Sequence, residues 1–268
     1  MFDLDAYFAR IGYGGPRVAS LATLRTIHAL HPAAIPFENL DPLLGRPVSL
    51  AIADVADKLV RRRRGGYCFE QNTLFRAVLE ALGFSVTGLA ARVVWMAPPE
   101  RPPGPRTHML LRIEVDGEPY VADVGFGGLL QDGPLRLVAD VEQRTPTDVA
   151  RYVRAGASWQ LEARVGGVWQ RAYVFTLDPQ VAADYVAANW FTSTYPASLF
   201  RNRLLMERVQ PAVRIGLSNR KLTHRYKDGR TERRVLTDAR DLWRVMTEDF
   251  GIAPPEEART LFDLLPAT

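Results

Sequence analysis

The chain has 268 residues, 47% of them apolar and 24% charged, with 34 Lys and Arg against 30 Asp and Glu for a formal charge of +4. That is the composition of a globular protein, which excludes a disordered chain, and no apolar stretch approaches the length of a membrane span. The basic excess is mild and spread along the chain, unlike the concentrated charge of a nucleic-acid binder, so neither a membrane nor a nucleic-acid partner is expected.

The N-terminus, MFDLDAYFARIGYGG, carries two Asp in its first five residues and does not read as a secretory signal. A single cysteine, Cys68, excludes intramolecular disulfides, and the expected setting is cytoplasmic with the thiol reduced. Residues 1 to about 85 read as helical: LDAYFARIGY, SLATLRTIHALHP and LAIADVADKLVRRRR space apolar residues three and four apart, with PFENL at 36–40 between them. The next helix is predicted over 69–82, with Leu74, Phe75, Val78, Leu79 and Leu82 on one stripe and Gly83 as its stop. Beyond Gly83, to about residue 190, short β-rich runs joined by DG and GG pairs predict an antiparallel sheet or barrel. The remainder mixes strands, a hairpin around Asp228-Gly229 and one helix in DARDLWRVMTEDFG. The order is helical, then β, then mixed α/β.

Cys68 lies in RRRRGGYCFEQN, residues 61–72, at the start of the predicted helix. A thiol attacks as thiolate, and unpaired N–H groups with the positive end of a helix dipole favour an anion there. Gly65 and Gly66 are expected to let the chain turn sharply and expose the side chain. A free cysteine is equally a small core residue, and both readings stand at this point. Arg61 to Arg64 read as a solvated helix end.

A nucleophilic cysteine needs a base, and four histidines are available. His28 and His31, on an early helix beside Pro32, are expected to face solvent or satisfy local hydrogen bonds; His224, near a strand start, is expected to be exposed. His108 begins HMLLRIEV, which runs into Asp116-Gly117 and returns as EPYVADVGF. A two-residue turn sets Val115 opposite Glu118, so Leu110 faces Asp123 and His108 faces Gly125. His108 and Asp123 then share one face as diagonal neighbours, about 7–8 Å apart, within reach of an imidazole–carboxylate contact. The same parity serves a triad, in which the carboxylate orients the base, or a plain sheet-face ion pair. The glycines of VGFGG, 124–128, allow backbone to approach a phosphate or simply mark a barrel bend; no nucleotide-binding spacing and no metal-ligand spacing is present.

Together these pieces resemble the arylamine N-acetyltransferase family, through PFENL at 36–40, RRGGYCFEQN at 63–72, THMLLRIEVDGEPYVADVGFGG at 107–128 and STYPASLF at 193–200. The resemblance implies an α+β fold of three domains: a helical bundle (1–85), a β-barrel (86–190) and an α/β lid (191–268), with a papain-like Cys-His-Asp core. It implies Cys68 as nucleophile, His108 as base and Asp123 as its partner in a ping-pong reaction. Acetyl-CoA would be the acyl donor, and an arylamine, arylhydrazine or N-hydroxyarylamine the acceptor, with no metal. It further implies Phe37, Val94, Phe126 and Phe200 around the acceptor, Thr107, Gly127 and Gly128 along coenzyme A, and an Arg64–Glu38 pair. An amide synthase of the same fold, a papain-like or transglutaminase-like hydrolase, and a non-catalytic module with Cys68 buried are the other readings of these residues.

Overall fold

The structure, a computed structural model, describes residues 2–98, 100–102 and 104–266. The N-terminal helices Leu4–Ile11 and Leu21–Ala34 pack with the Cys68–Ala81 helix around one core that includes Tyr7, Leu24, Ile27, Phe75 and Val78. All five residues of the predicted stripe are buried, and Gly83 takes the left-handed conformation (φ 88°) just past the helix end. Of the four arginines, Arg61 to Arg63 are exposed as expected, while Arg64 is buried.

The β-rich middle is an eight-stranded, barrel-like antiparallel sheet. Its strands are β2 (Ser85–Val93), β3 (Arg106–Val115), β4 (Glu118–Ala122), β5 (Leu135–Arg136), β6 (Gln143–Arg144), β7 (Val149–Ala155), β8 (Ser158–Val165) and β9 (Val168–Phe175), taking β1 as Phe37–Glu38. Their order is β5-β4-β3-β2-β9-β8-β7-β6, and the two edges meet where the Gln143 side chain bonds the backbone N–H and C=O of Arg136. The β3–β4 hairpin has the expected register, Val115 opposite Glu118 and Leu111 opposite Ala122, with Asp116 and Gly117 both at positive φ as a two-residue turn requires. Alternation along β3 splits its side chains between two cores: Met109, Leu111, Ile113 and Val115 face the helices, and Leu110 faces the barrel interior. His108 shares Leu110's parity and lies against the interior residues Phe126 and Tyr173. The helix Ala182–Thr194 spans residue 190 and lies across β3.

The C-terminal region forms a second sheet, β1-β10-β11-β12-β13, where β10 is Leu205–Val209, β11 Val213–Ser218, β12 Lys221–Tyr226 and β13 Thr231–Val235. Its edge strand β1 comes from PFENL, so this N-terminal motif belongs to the C-terminal sheet. Phe37 pairs with Glu207, and Asn39 holds the 200–205 segment through Phe200 O, Arg203 O and Leu205 N. On its far side the sheet packs against the helix Ala239–Arg244 and the turn that continues it. His224 sits on that side, partly buried and 3.2 Å from Asp249 Oδ1, rather than exposed as expected, because strand alternation turns it toward the helix with Leu222.

Helices and barrel meet at Gly125, where an added Cβ would lie 2.7 Å from Cys68 Cα and 2.9 Å from Asn72 Nδ2. Gly125→Ala must separate the loop from the helix and is expected to destabilise the protein by about 1–3 kcal/mol in urea titration. Gly14→Ala, with nothing within 4 Å of its Cβ, is the matched control and is expected to change little.

Candidate active site

The turn entering the Cys68 helix is shaped by close backbone approach. Neither Gly65 nor Gly66 has positive φ, so the sharp turn anticipated there is not what requires glycine. A Cβ on Gly65 would lie 2.2 Å from Pro36 O, and Gly66 bridges to Phe37, with Glu38 N–H donating to Gly66 O at 3.0 Å. Cys68 is correspondingly not exposed but buried, at 3%.

Five charged side chains secure this turn. Arg64 donates to Glu38 Oε1 (2.8 Å) and Asp41 Oδ1 (3.2 Å), Lys58 Nζ bridges Asp41 (2.6 Å) and Glu70 (2.7 Å), and Glu70 Oε2 accepts the Tyr67 N–H. Arg64 therefore pairs with Glu38 as the resemblance implied, and Lys58, Asp41 and Glu70 extend the pair into a buried network. Burial works against the charge on Lys58, but Glu70, Glu38 and Asp41 outweigh it and raise the ammonium above its usual range.

Helix geometry then carries Asn72 one turn beyond Cys68, where it donates to Met109 O (2.7 Å) and Asp123 Oδ1 (3.0 Å) and accepts the Val124 N–H (3.2 Å). Asp123, at 0% exposure, also accepts the Gly125 N–H (3.0 Å) on Oδ1 and faces His108 Nε2 at 2.6 Å through Oδ2. Such a contact requires Nε2–H as donor, leaving Nδ1 as the nitrogen that can serve the thiol. Desolvation pulls the His108 ring down, but the charge and hydrogen bond of Asp123, together with the Cys68 thiol, overcome it and push the ring up to about 10. Burial likewise resists ionisation of Asp123, and His108, Asn72 and the Gly125 N–H hold its carboxyl below the usual range.

Thr107 is the extra residue of a β-bulge: Ala91 pairs with His108 but Arg92 pairs with Arg106. The bulge releases the Thr107 carbonyl from the ladder, and it lies 3.6 Å from Cys68 Sγ. Phe126 sets its ring edge-on to the His108 ring at 5.1 Å.

Cys68, His108 and Asp123, from three separate elements, are thus brought together in one buried cluster. Of the residues expected around substrates, Phe37, Gly127 and Gly128 line a cleft of about 810 Å³ between the barrel and the C-terminal sheet. Phe126, Val94, Phe200 and Thr107 do not line it; Val94 and Phe200 are half-buried, Phe200 packed against Phe37 and Tyr67. Among the described residues no group of three His, Cys, Asp or Glu side chains has metal-site geometry, and no helix is long and apolar enough to cross a membrane.

His28 and His31 depart from their expected surface positions: both are fully buried. His31 accepts from the Tyr7 hydroxyl (2.9 Å) and donates to Gln71 Oε1 (2.7 Å), and Gln71 in turn donates to Pro36 O at 2.8 Å. His28 Nε2 accepts the Asp123 N–H at 3.2 Å. Burial pushes these rings down to about 4 and about 3, so both are neutral and suited to accept. Neither role is visible in local sequence, because the partners lie 95 and 40 residues away. Asn72 had a local signal, four residues after Cys68 and so on the same helix face.

A family model described as N-acetyltransferase matches residues 20–257, which sets the protein among the acyltransferases. It is 45% identical over 251 residues to an arylamine N-acetyltransferase of Escherichia coli (strain K12), covering 93% of this chain and 88% of that one. The solved arylamine N-acetyltransferase structure from M. tuberculosis superposes with a TM-score of 0.94 at 41% identity, over 97% of this chain and all of that one. That of Mycobacterium marinum arylamine N-acetyltransferase in complex with CoA gives 0.93 at 39% identity, over 97% and 98%. The chain belongs to the arylamine N-acetyltransferase family.

Three outcomes test the electrostatics. In wild type the His108 ring is expected to titrate near pH 10 by histidine-resolved NMR and to be protonated at pH 7. Asp123→Asn removes the opposing charge, so burial wins and the ring is expected to be neutral at pH 7. Lys58→Met leaves Asp41 and Glu70 without their shared cation and is expected to cost about 3–5 kcal/mol in urea titration.

Proposed function

We propose that Cys68 carries the acetyl group, that His108 moves the protons and that Asp123 holds the imidazole in place and balances its charge. The observation that carries this reading is the 2.6 Å His108–Asp123 contact inside the barrel, which directs the other ring nitrogen to the thiol at the helix start. Acetyl-CoA is the donor. Cys68 thiolate attacks its carbonyl carbon, the oxyanion is met by backbone N–H groups of the first helical turn, including that of Cys68, and the carbon–sulfur bond to coenzyme A breaks. Coenzyme A thiolate takes the His108 proton as it leaves. One thioester replaces another of similar energy, so this step needs little driving force. An arylamine, arylhydrazine or N-hydroxyarylamine then attacks the acetyl carbon, His108 accepts its proton as the new bond to carbon forms, and Cys68 leaves as thiolate. Aromatic amines suit this step because they are weak bases and stay neutral nucleophiles at pH 7.

The cleft fits the donor chemically. Its walls include Arg203, Lys221, Arg225 and Arg233, for which no carboxylate partner is found among the described residues, an arrangement suited to phosphates. Gly127 and Gly128 at its inner edge, with Thr107 beside the thiol, would pass the pantetheine arm. Phe37, Val94, Phe126 and Phe200 are the acceptor residues in this reading. In this reading the chain has a helical unit (1–85), a barrel unit (86–190) and an α/β unit (191–268), with the helix Ala182–Thr194 crossing the second boundary, β1 joining the sheet of the third unit, and the thiol and the base contributed by the first two. A single thiol that must stay reduced suits a cytoplasmic setting.

Incubation with acetyl-CoA alone is expected to add one acetyl group to the wild-type protein by intact-mass measurement and none to Cys68→Ser. An arylamine should then remove it with release of the acetylated amine. An unmodified wild-type protein sinks this reading.

A further inference from the structure

Glu207 lies on β10, opposite Phe37 in the β1–β10 pairing. Its side chain is 8% exposed, and besides pairing with Arg214 on the neighbouring strand β11 it reaches out of the sheet to the barrel. One carboxylate oxygen accepts the Gly128 N–H; the other accepts the Leu130 N–H (3.3 Å) and an Arg214 Nη1 hydrogen (2.6 Å). Arg214 also donates from Nη1 to Leu130 O (2.9 Å) and from Nη2 to Asp148, just before β7. A carboxylate–guanidinium pair from the C-terminal sheet therefore grips both polar groups of Leu130 and the N–H of Gly128 in the barrel's glycine loop.

This loop also lies close to Phe37, one of the residues expected around the acceptor, and to Trp95. A Cβ on Gly127 would lie 2.4 Å from the Phe37 ring, and Gly128, at φ +118°, has Trp95 Nε1 within 3.0 Å of where its Cβ would be. Phe126, directly before, sets its ring against His108. The Phe126–Gly128 backbone lies in no strand or helix, and the backbone hydrogen bond found for it among the described residues is the turn from Leu129 N–H to Phe126 O (3.2 Å), so side-chain hydrogen bonds help to fix its conformation, and those to an ionised carboxylate are the stronger kind.

We infer that Glu207, held by Arg214, is a positioning residue for the Phe126–Gly128 segment, by which the C-terminal sheet sets how acetyl-CoA reaches Cys68. This rests on the acyl-transfer reading above. A merely structural ion pair would make the protein less stable when broken without selectively altering the donor step.

The test is the first half-reaction, the rate of acetyl-enzyme formation against acetyl-CoA concentration, read beside iodoacetamide alkylation of Cys68, which reports the thiol and its base without the donor. Glu207→Gln keeps the shape but sets an NH₂ against one of three donors. It is expected to raise the half-saturating acetyl-CoA concentration about tenfold while alkylation stays within about twofold of wild type. Glu207→Asp, which keeps the charge, should recover some of that loss. Unchanged half-saturation in Glu207→Gln overturns the inference, as does a fall in alkylation that parallels the fall in acetylation. If Glu207→Gln does not fold, Arg214→Lys carries the same expectation and the same overturning results. A wild-type protein that forms no acetyl-enzyme refutes the acyl-transfer reading itself, a result distinct from either outcome for Glu207.

Discussion

A carboxylate at 0% exposure must be fully satisfied or it would not remain ionised, and the arrangement around Asp123 follows from that constraint. Its oxygens take hydrogens from His108, Asn72 and the Gly125 N–H, while its own N–H goes to His28. These groups come from the early helices, the Cys68 helix, β3 and the loop after β4, so satisfying one side chain requires the helices and the barrel to meet at one place. Only His108 among the donors can bring a full charge. The buried anion therefore holds a proton on the imidazole, where burial alone would remove it, as it does at His28 and His31.

The network of Lys58, Arg64, Glu38, Asp41 and Glu70 imposes a comparable constraint on the turn that precedes the thiol. Buried ion pairs of this kind add little net stability over apolar packing, but losing one member leaves a costly uncompensated charge. Here they tie separate elements together. Glu70 caps the turn before Cys68, and Arg64 ties the same turn to Glu38 on β1, the strand that also enters the C-terminal sheet. The entry to the Cys68 helix and the edge of the C-terminal sheet are thereby set by one set of contacts.

Much of this was legible from local pattern. The helix carrying Cys68 was placed to within a residue, since its apolar stripe and Gly83 stop are short-range signals. The His108–Asp123 relation followed from hairpin parity, because the alternation of side chains along a strand is strict and an Asp-Gly turn sets the register. Other features escaped for a physical reason. The Gly65-Gly66 pair looked like a turn requirement, whereas close packing is what disfavours a Cβ, against Pro36 O at Gly65 and against the Glu70 side chain at Gly66. His28 and His31 looked peripheral beside a proline, yet the helix face they occupy is covered by the Cys68 helix and the Asp123 loop. Thr107 sits at a bulge whose cause lies in pairing with β2.

Periodicity and turn chemistry, acting over a few residues, are enough to establish the order of helical, β and mixed segments, the position of the thiol at a helix start, and the shared face of His108 and Asp123. Three features came instead from packing between distant segments. The thiol is buried and meets His108, PFENL joins the C-terminal sheet, and Glu207 reaches the glycine loop 79 positions earlier. These depend on which surfaces exclude water together, and nothing in a local pattern encodes that.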